Sequence, residues 1–257
     1  MEPDPATPVL TLSYGPHAPQ TIQCWDSAVP GSSRGVVVLV HGGYWRARFD
    51  ASLMVPLARD LVRQGWAVAN VEYRRGGNGG GWPETGQDVR SSVSAIAASA
   101  WRRAAPGPLV GVGHSVGGQL ALLAADQLDA VVALAPVTDA ARTHREGLGE
   151  NAAAEFFGAS PEQAPGIYAG ASPVRQLPLG TPALVVHGAV DQRVPVEHSL
   201  DFIARARMAG DRIDFVSPYG LDHLDAIDPA SPTWPFVRGW MDKVPAQVHR
   251  VRSSSSA

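Results

Sequence analysis

Residues 109–120 read Leu109-Val110-Gly111-Val112-Gly113-His114-Ser115-Val116-Gly117-Gly118-Gln119-Leu120. An apolar run ends in Gly-His-Ser-Val-Gly, and an alanine- and leucine-rich helical pattern follows. Strand, sharp turn and helix in that order put a serine at the apex of the turn, the arrangement of a G-x-S-x-G nucleophile elbow. Gly113 and Gly117 flank Ser115, where a Cβ would crowd the turn. Such a turn lifts the Ser115 hydroxyl out of the sheet and leaves the N–H of Val116 free for an oxyanion. The pattern recurs at Gly31-Ser32-Ser33-Arg34-Gly35. There it precedes the apolar run Val36 to Val40, which is loop then strand, so Ser33 is expected to be a turn residue.

Strand and helix signals alternate on both sides of the elbow. Val36 to Val40 reads as a buried strand. Asp50 to Gln64 has helical spacing closed by Gly65, with Pro56 at a kink or in the first turn. Trp66 to Tyr73 is the next strand, residues 74–83 a glycine-rich loop, and Thr85 to Trp101 a helix. After the elbow helix, Val116 to Gln127, come strands at Ala130 to Ala135, Pro182 to Val186 and Ile213 to Val216. Helices are expected at about Val196 to Met208 and Pro235 to Val244. Val9 to Leu12 and Thr21 to Trp25 suit an antiparallel edge hairpin. The alternation predicts an α/β fold with a mostly parallel central sheet and helices on both faces. Residues 136–181 break it. The expected organisation is one domain over residues 1–252, with a small cap inserted at about 136–181 and a disordered tail at 253–257.

A serine hydroxyl needs a base within hydrogen-bond reach and a third group to orient that base. In chain order the elbow serine is followed by an acid and then a histidine, each in a loop after a strand. Asp191 meets the first condition, in His187-Gly188-Ala189-Val190-Asp191-Gln192-Arg193-Val194-Pro195. His223 meets the second, after the strand 213–216. Its rivals are less well placed: His198 within a helix pattern, His249 in the tail, His144 in the cap, His114 in the elbow itself. A second oxyanion donor should come from the turn after Val36 to Val40, which reads His41-Gly42-Gly43-Tyr44-Trp45. Gly43 or Tyr44 is the expected donor, with His41 bracing the loop.

Composition narrows the classes further. The chain has 257 residues, 45% of them hydrophobic, and a formal net charge of −3. Its basic residues form only short pairs such as Arg74-Arg75 and Arg102-Arg103, which offers no nucleic-acid surface. Cys24 is the single cysteine, expected to be a small core residue. The start lacks a basic, apolar leader, and no apolar run approaches the ~18 residues of a membrane span, so a cytoplasmic protein without a membrane partner is expected. There is no H-E-x-x-H and no paired cysteine, so no metal is expected, and acyl transfer through a serine needs no cofactor.

The chain resembles α/β-hydrolase-fold serine hydrolases of the esterase and arylformamidase-like branch. The matching pieces are His-Gly-Gly-Tyr-Trp (41–45), Val-Glu-Tyr-Arg-Arg (71–75), Trp-Pro-Glu-Thr-Gly-Gln-Asp-Val (82–89), Gly-His-Ser-Val-Gly-Gly (113–118) and His-Gly-Ala-Val-Asp-Gln-Arg-Val-Pro (187–195). Tyr44 stands where hormone-sensitive-lipase-like members carry a fourth-position glycine. The reading is an enzyme that cleaves small esters or aryl amides through an acyl-enzyme on Ser115. The resemblance adds an N-formyl arylamine such as N-formylkynurenine, whose carboxylate Arg46 or Arg48 would meet. Trp45, Trp82 and Leu221 are candidate substrate contacts, with Tyr44 beside Trp45 in the same loop and Phe156, Phe157 and Tyr168 nearby in the cap. The bulky Tyr44–Trp45 pair is expected to limit room at the reacting carbonyl and favour short acyl groups, formyl to about butyryl. A non-catalytic small-molecule binding protein is the alternative class, and a peptidase of the prolyl-oligopeptidase type, limited to short peptides, is a third reading.

Overall fold

The computed structural model describes residues 7–29 and 33–246. His249 and the expected tail 253–257 lie outside the described residues. In chain order the strands are β1 (Leu10–Ser13), β2 (Thr21–Trp25), β3 (Val36–Val40), β4 (Ala67–Glu72), β5 (Leu109–His114), β6 (Ala130–Leu134), β7 (Ala183–Val186) and β8 (Ile213–Val216). They form one sheet in the order β1-β2-β4-β3-β5-β6-β7-β8. β1 and β2 are the antiparallel hairpin at one edge, and β2 runs antiparallel to β4. Every pairing from β4 to β8 is parallel.

The helices are α1 (Val55–Arg63), α2 (Glu84–Ala98), α3 (Ala100–Ala104), α4 (Val116–Leu123), α5 (Ala140–Arg145), α6 (Leu148–Phe157), α7 (Pro165–Gly170), α8 (Val196–Met208) and α9 (Trp234–Met241). The central strands read as unbroken apolar runs because both faces are covered. Val36, Val38 and Val40 point into one apolar layer, Val37 and Leu39 into the other, which is the period of two that a pleated strand imposes.

Helix boundaries depart from the sequence expectation where local hydrogen bonding intervenes. The stretch 50–64 opens as a 3₁₀ turn, Ala51–Met54, capped by Asp50, and Pro56 falls in the first turn of α1, where its missing N–H costs nothing. The expected helix 85–101 is cut at Ser99, whose extended backbone (ψ 150°) ends α2 and whose hydroxyl caps the N–H of Arg102 in α3. A polar side chain competing for backbone groups is the physical reason.

Chain direction reverses at the centre of the sheet. From β3 the chain moves outward to β4, whereas β5 lies on the opposite side of β3 and leads toward β6, β7 and β8. That is a topological switch point, and the loops leaving the carboxyl ends of β3 and β5 diverge to make a crevice there. The segment 136–181, between β6 and β7, carries α5, α6, α7 and a 3₁₀ turn, Pro173–Arg175.

Candidate active site

Ser115 sits at the end of β5 with φ 58° and ψ −120°, a left-handed conformation rare for any residue with a Cβ. It is held there by packing. A Cβ on Gly117 would drive into the carbonyls of Val40 and His41, and one on Gly113 into the backbone of Gly117. The elbow therefore closes only with glycine at both positions. The Ser115 N–H donates to the Leu134 carbonyl at 2.8 Å, tying the turn to β6. Val116 opens α4, and the N–H of a first helical residue has no intrahelical partner.

The loop after β3 lies against this turn. A Cβ on Gly42 would stand 3.0 Å from the Cβ of Ser115 and 2.9 Å from the His114 carbonyl, so the backbone of residue 42 passes directly beside the serine. Gly43, Tyr44 and Trp45 follow with φ of 121°, 50° and 58°, three consecutive residues with positive φ that turn the loop sharply beside the elbow. This conformation is braced from below. His41 Nδ1–H donates to the Gly42 carbonyl at 2.7 Å, its Nε2 lies 3.2 Å from Arg75 Nη1 and 3.7 Å from a Glu72 carboxylate oxygen, and its ring stacks on Tyr73 at 4.4 Å. The Tyr73 hydroxyl donates to the His41 carbonyl at 2.7 Å, and Arg75 is paired with Glu72. Burial drives the Glu72 carboxyl upward, but the His41 ring, the Ala51 N–H and Arg75 outweigh it and bring it down to about 2.

Asp191 and His223 come from the loops after β7 and β8. His223 Nδ1 is 2.6 Å from Asp191 Oδ2. The other carboxylate oxygen, Oδ1, accepts the N–H groups of Arg193 at 2.8 Å and Val194 at 3.0 Å. Burial raises the Asp191 carboxyl, but hydrogen bonds from His187 and His223 and the Val194 N–H prevail and hold it well below the usual carboxylate range. A charged Asp191 fixes the proton of His223 on Nδ1 and leaves Nε2 bare to accept one. The two loops are locked together because the Leu221 carbonyl occupies the space that a Cβ on Gly188 would need. His223 reaches the elbow through His114: Nε2–H of His114 donates to the His223 carbonyl at 2.9 Å, and the two rings lie 4.6 Å apart. Burial and the neighbouring His223 push the His114 imidazole down to about 3, so it is neutral. Ser115 is 2% exposed and His223 3%.

The competing histidines are engaged elsewhere. His198 Nε2 meets Glu146 at 2.8 Å, and His144 lies edge-on to Tyr168. Ser33 precedes β3 and donates to the Gly35 carbonyl. Among the described residues no cluster of three or more His, Cys, Asp or Glu could hold a metal ion, and no helix is long and apolar enough to cross a membrane.

The side chains expected to meet substrate have these surroundings in the structure. Trp45 is 1% exposed. Its indole N–H donates to Gln119 at 3.0 Å and its ring stacks on Phe156, so it packs α6 onto α4. Leu221 is buried in the apolar layer that contains Trp234. Trp82 faces a cleft of about 450 Å³ with Gln87, Leu122 and Gln176, whose walls include none of Ser115, Asp191 and His223. Arg46 is committed to Glu155 at 2.9 Å and Glu150 at 3.4 Å, while Arg48 lies over the Phe49 ring. These side chains are drawn into packing or ion pairs that spacing along the chain does not reveal. One residue escaped the sequence reading. His187 Nε2 is 2.8 Å from the Val194 carbonyl and 3.4 Å from Asp191 Oδ2, and its Nδ1 is 2.7 Å from Ser199 Oγ. Its place four residues before Asp191 was the available signal.

A mostly parallel eight-stranded sheet carrying a strand–serine–helix elbow at its switch point defines the α/β-hydrolase class of serine hydrolases. Residues 61–231, which include Ser115, Asp191 and His223, match the prolyl oligopeptidase family, and the chain belongs to it. It is 25% identical to Esterase LipC of Mycobacterium tuberculosis over 93% of this chain, and it spans 65% of the length of that relative. Among solved structures, a truncated carbohydrate esterase from gut microbiota matches with a TM-score of 0.79 and 17% identity, over 94% of this chain and 98% of that one. Butyrate-bound Est2, an esterase of Thermogutta terrifontis, matches with a TM-score of 0.73 and 19% identity, over 94% and 96% of the two chains. At these identities the two structures speak to the fold.

Proposed function

We propose that this protein is a carboxylic ester hydrolase that works through an acyl-enzyme on Ser115. The observation that carries the reading is the 2.6 Å contact between His223 and Asp191, on loops packed against the elbow that presents Ser115. In this mechanism His223 Nε2 takes the Ser115 proton as Oγ bonds to the carbonyl carbon. The N–H groups of Val116 and of Gly43 or Tyr44 hold the oxyanion, each worth about 3 kcal/mol of transition-state stabilisation. His223 then returns the proton to the departing alkoxide. Water, deprotonated by the same imidazole, cleaves the acyl-enzyme. No step calls for a cofactor.

The segment 136–181 acts as the cap over this site, and its proximity to a buried serine supports small substrates with acyl groups from formyl to about butyryl. LipC, the sequence relative, is an esterase, which supports ester over peptide hydrolysis. A formamidase acting on N-formylkynurenine is the narrower alternative. The pairing of Arg46 with Glu150 and Glu155 counts against it, because that cation is no longer free for the substrate carboxylate. The test is kcat/KM across p-nitrophenyl esters from acetate to dodecanoate, with N-formylkynurenine and a short prolyl peptide amide alongside. The expected profile peaks at four carbons or fewer and declines gradually, since apolar contact separates neighbours by only about 1–3 kcal/mol per methylene. A maximum at eight carbons or longer overturns the short-acyl reading. Faster cleavage of N-formylkynurenine or of the peptide amide than of any ester replaces it.

A further inference from the structure

Tyr44 joins three parts of the molecule that the sequence keeps far apart. It belongs to the loop after β3, and its hydroxyl donates to the Arg193 carbonyl at 2.6 Å in the loop after β7. In the sheet, β5 and β6 lie between β3 and β7, so this single side chain helps close a gap of roughly 14 Å, three strand spacings. Ser115 stands at the end of β5, one of the two strands between those that the bond joins. The third part is the cap. A Cβ on Gly149 would lie 2.7 Å from Cγ, Cδ2 and Cε2 of the Tyr44 ring, so the backbone of residue 149 rests on the ring face.

Both sides of this contact are strained. Tyr44 has φ 50°, and Gly149, Glu150 and Asn151 form a left-handed turn with φ between 59° and 63°. Left-handed backbone at residues with a Cβ persists only where the surroundings impose it. Arg46, two residues beyond Tyr44, pairs with Glu150 at 3.4 Å and Glu155 at 2.9 Å on α6. Beside the ring lies a cavity of about 220 Å³ bordered by Tyr44, Arg46, Gly76, Gly77 and Ala152, which gives the phenol somewhere to go.

We propose that Tyr44 is a specificity-determining bar across the mouth of the site, with the residue 147–151 turn of the cap resting on it, and that a substrate reaches Ser115 by parting the Tyr44–Arg193 hydrogen bond. This inference rests on the reading of Ser115 as the nucleophile. Large acyl or leaving groups hold the bar open at greater cost than small ones, so the bar sorts substrates by size. It is the bulk at position 44, more than the apolar lining, that sets the limit.

The test is covalent labelling with two fluorophosphonates, one bearing a methyl group and one a decyl chain. The Ser115 oxygen forms the bond to phosphorus, its proton passes to His223, and fluoride leaves. Rates are read by intact mass and the labelled residue by peptide mapping, for the wild type, Tyr44→Phe and Tyr44→Ala. Tyr44→Phe keeps the ring and loses only the bond to Arg193. It is expected to raise the decyl-to-methyl rate ratio a few-fold, and Tyr44→Ala to raise it about tenfold, a barrier difference of about 1.4 kcal/mol. A ratio unchanged in Tyr44→Phe and in Tyr44→Ala, with Ser115 still the labelled residue, overturns the bar and leaves the nucleophile standing. If Tyr44→Ala does not fold, the ratio in Tyr44→Phe alone decides. Wild-type labelling at a residue other than Ser115 overturns both readings together.

Discussion

Asp191 Oδ2 lies 2.6 Å from Nδ1 of His223. The carboxylate that makes this contact is itself anchored by two backbone N–H groups through Oδ1, and His187 Nε2 lies 3.4 Å from the same Oδ2. The imidazole of His223 is therefore oriented by a group with almost no freedom to rotate. Asp191→Asn presents an amide with the same shape and the wrong hydrogen-bonding sense, which favours the tautomer with Nε2 protonated and unable to act as base. A fall in kcat on the order of 10⁴-fold is expected from the behaviour of another triad enzyme. Steady-state kinetics on p-nitrophenyl acetate, with thermal melting as a control for folding, checks it. Activity within tenfold of the wild type removes Asp191 from the mechanism.

Ser115→Ala should abolish hydrolysis while leaving the fold intact, because the elbow depends on Gly113 and Gly117 and on the backbone bond from Ser115 to Leu134. Loss of kcat on the order of 10⁶-fold is expected by analogy with another serine hydrolase. Ser33→Ala, at the second occurrence of the motif, should match the wild type. The reverse pattern between the two variants would move the nucleophile to residue 33.

Gly42→Ala tests the oxyanion loop without removing a side chain. The added methyl meets the Ser115 Cβ at 3.0 Å and the His114 carbonyl at 2.9 Å, contacts tight enough to push the loop away from the elbow. Displacing one oxyanion donor costs ~10²–10³-fold in kcat, with a smaller change in KM. Equal losses in affinity for a substrate analogue and in kcat would show that the loop binds substrate without favouring the transition state.

Acid stability should carry the signature of His114. Burial and the His223 ring lower its imidazole from 6.5 to about 3. Between those values the unfolded chain binds a proton that the folded chain does not, so this group destabilises the fold progressively as pH drops. Its contribution is complete above about pH 6.5 and is lost as pH falls toward 3. One such group gives a slope of up to about 1.4 kcal/mol per pH unit. Urea denaturation of the wild type and His114→Gln at pH 7, 6 and 5 measures it. The variant, which keeps an amide donor for the His223 carbonyl, should lose less stability per unit; parallel slopes would rule His114 out. Glu72, brought down to about 2, adds its own loss only at lower pH, as the medium falls through the ordinary carboxylate range.

Much of the fold was legible in the chain because its signals are local. Val36 to Val40 and Leu109 to Val112 are apolar on both faces, so they announce buried parallel strands whatever surrounds them. Gly113 and Gly117 announce the elbow because the turn tolerates nothing larger. The order serine, aspartate, histidine, each after a strand, is likewise written in one dimension.

What only the tertiary structure decided concerns contacts between segments far apart in the chain. Trp45 reads as a candidate substrate contact and is instead spent on Gln119 and Phe156. Arg46 reads as a free cation and is claimed by two glutamates about a hundred residues away. Tyr44 reads as an oxyanion-loop residue, yet its hydroxyl closes on Arg193, 149 positions further on. No periodicity or spacing encodes these pairings. They exist because the sheet order brings the ends of β3, β5 and β7 to one rim, and because a buried polar group takes whatever partner that rim supplies rather than go unsatisfied.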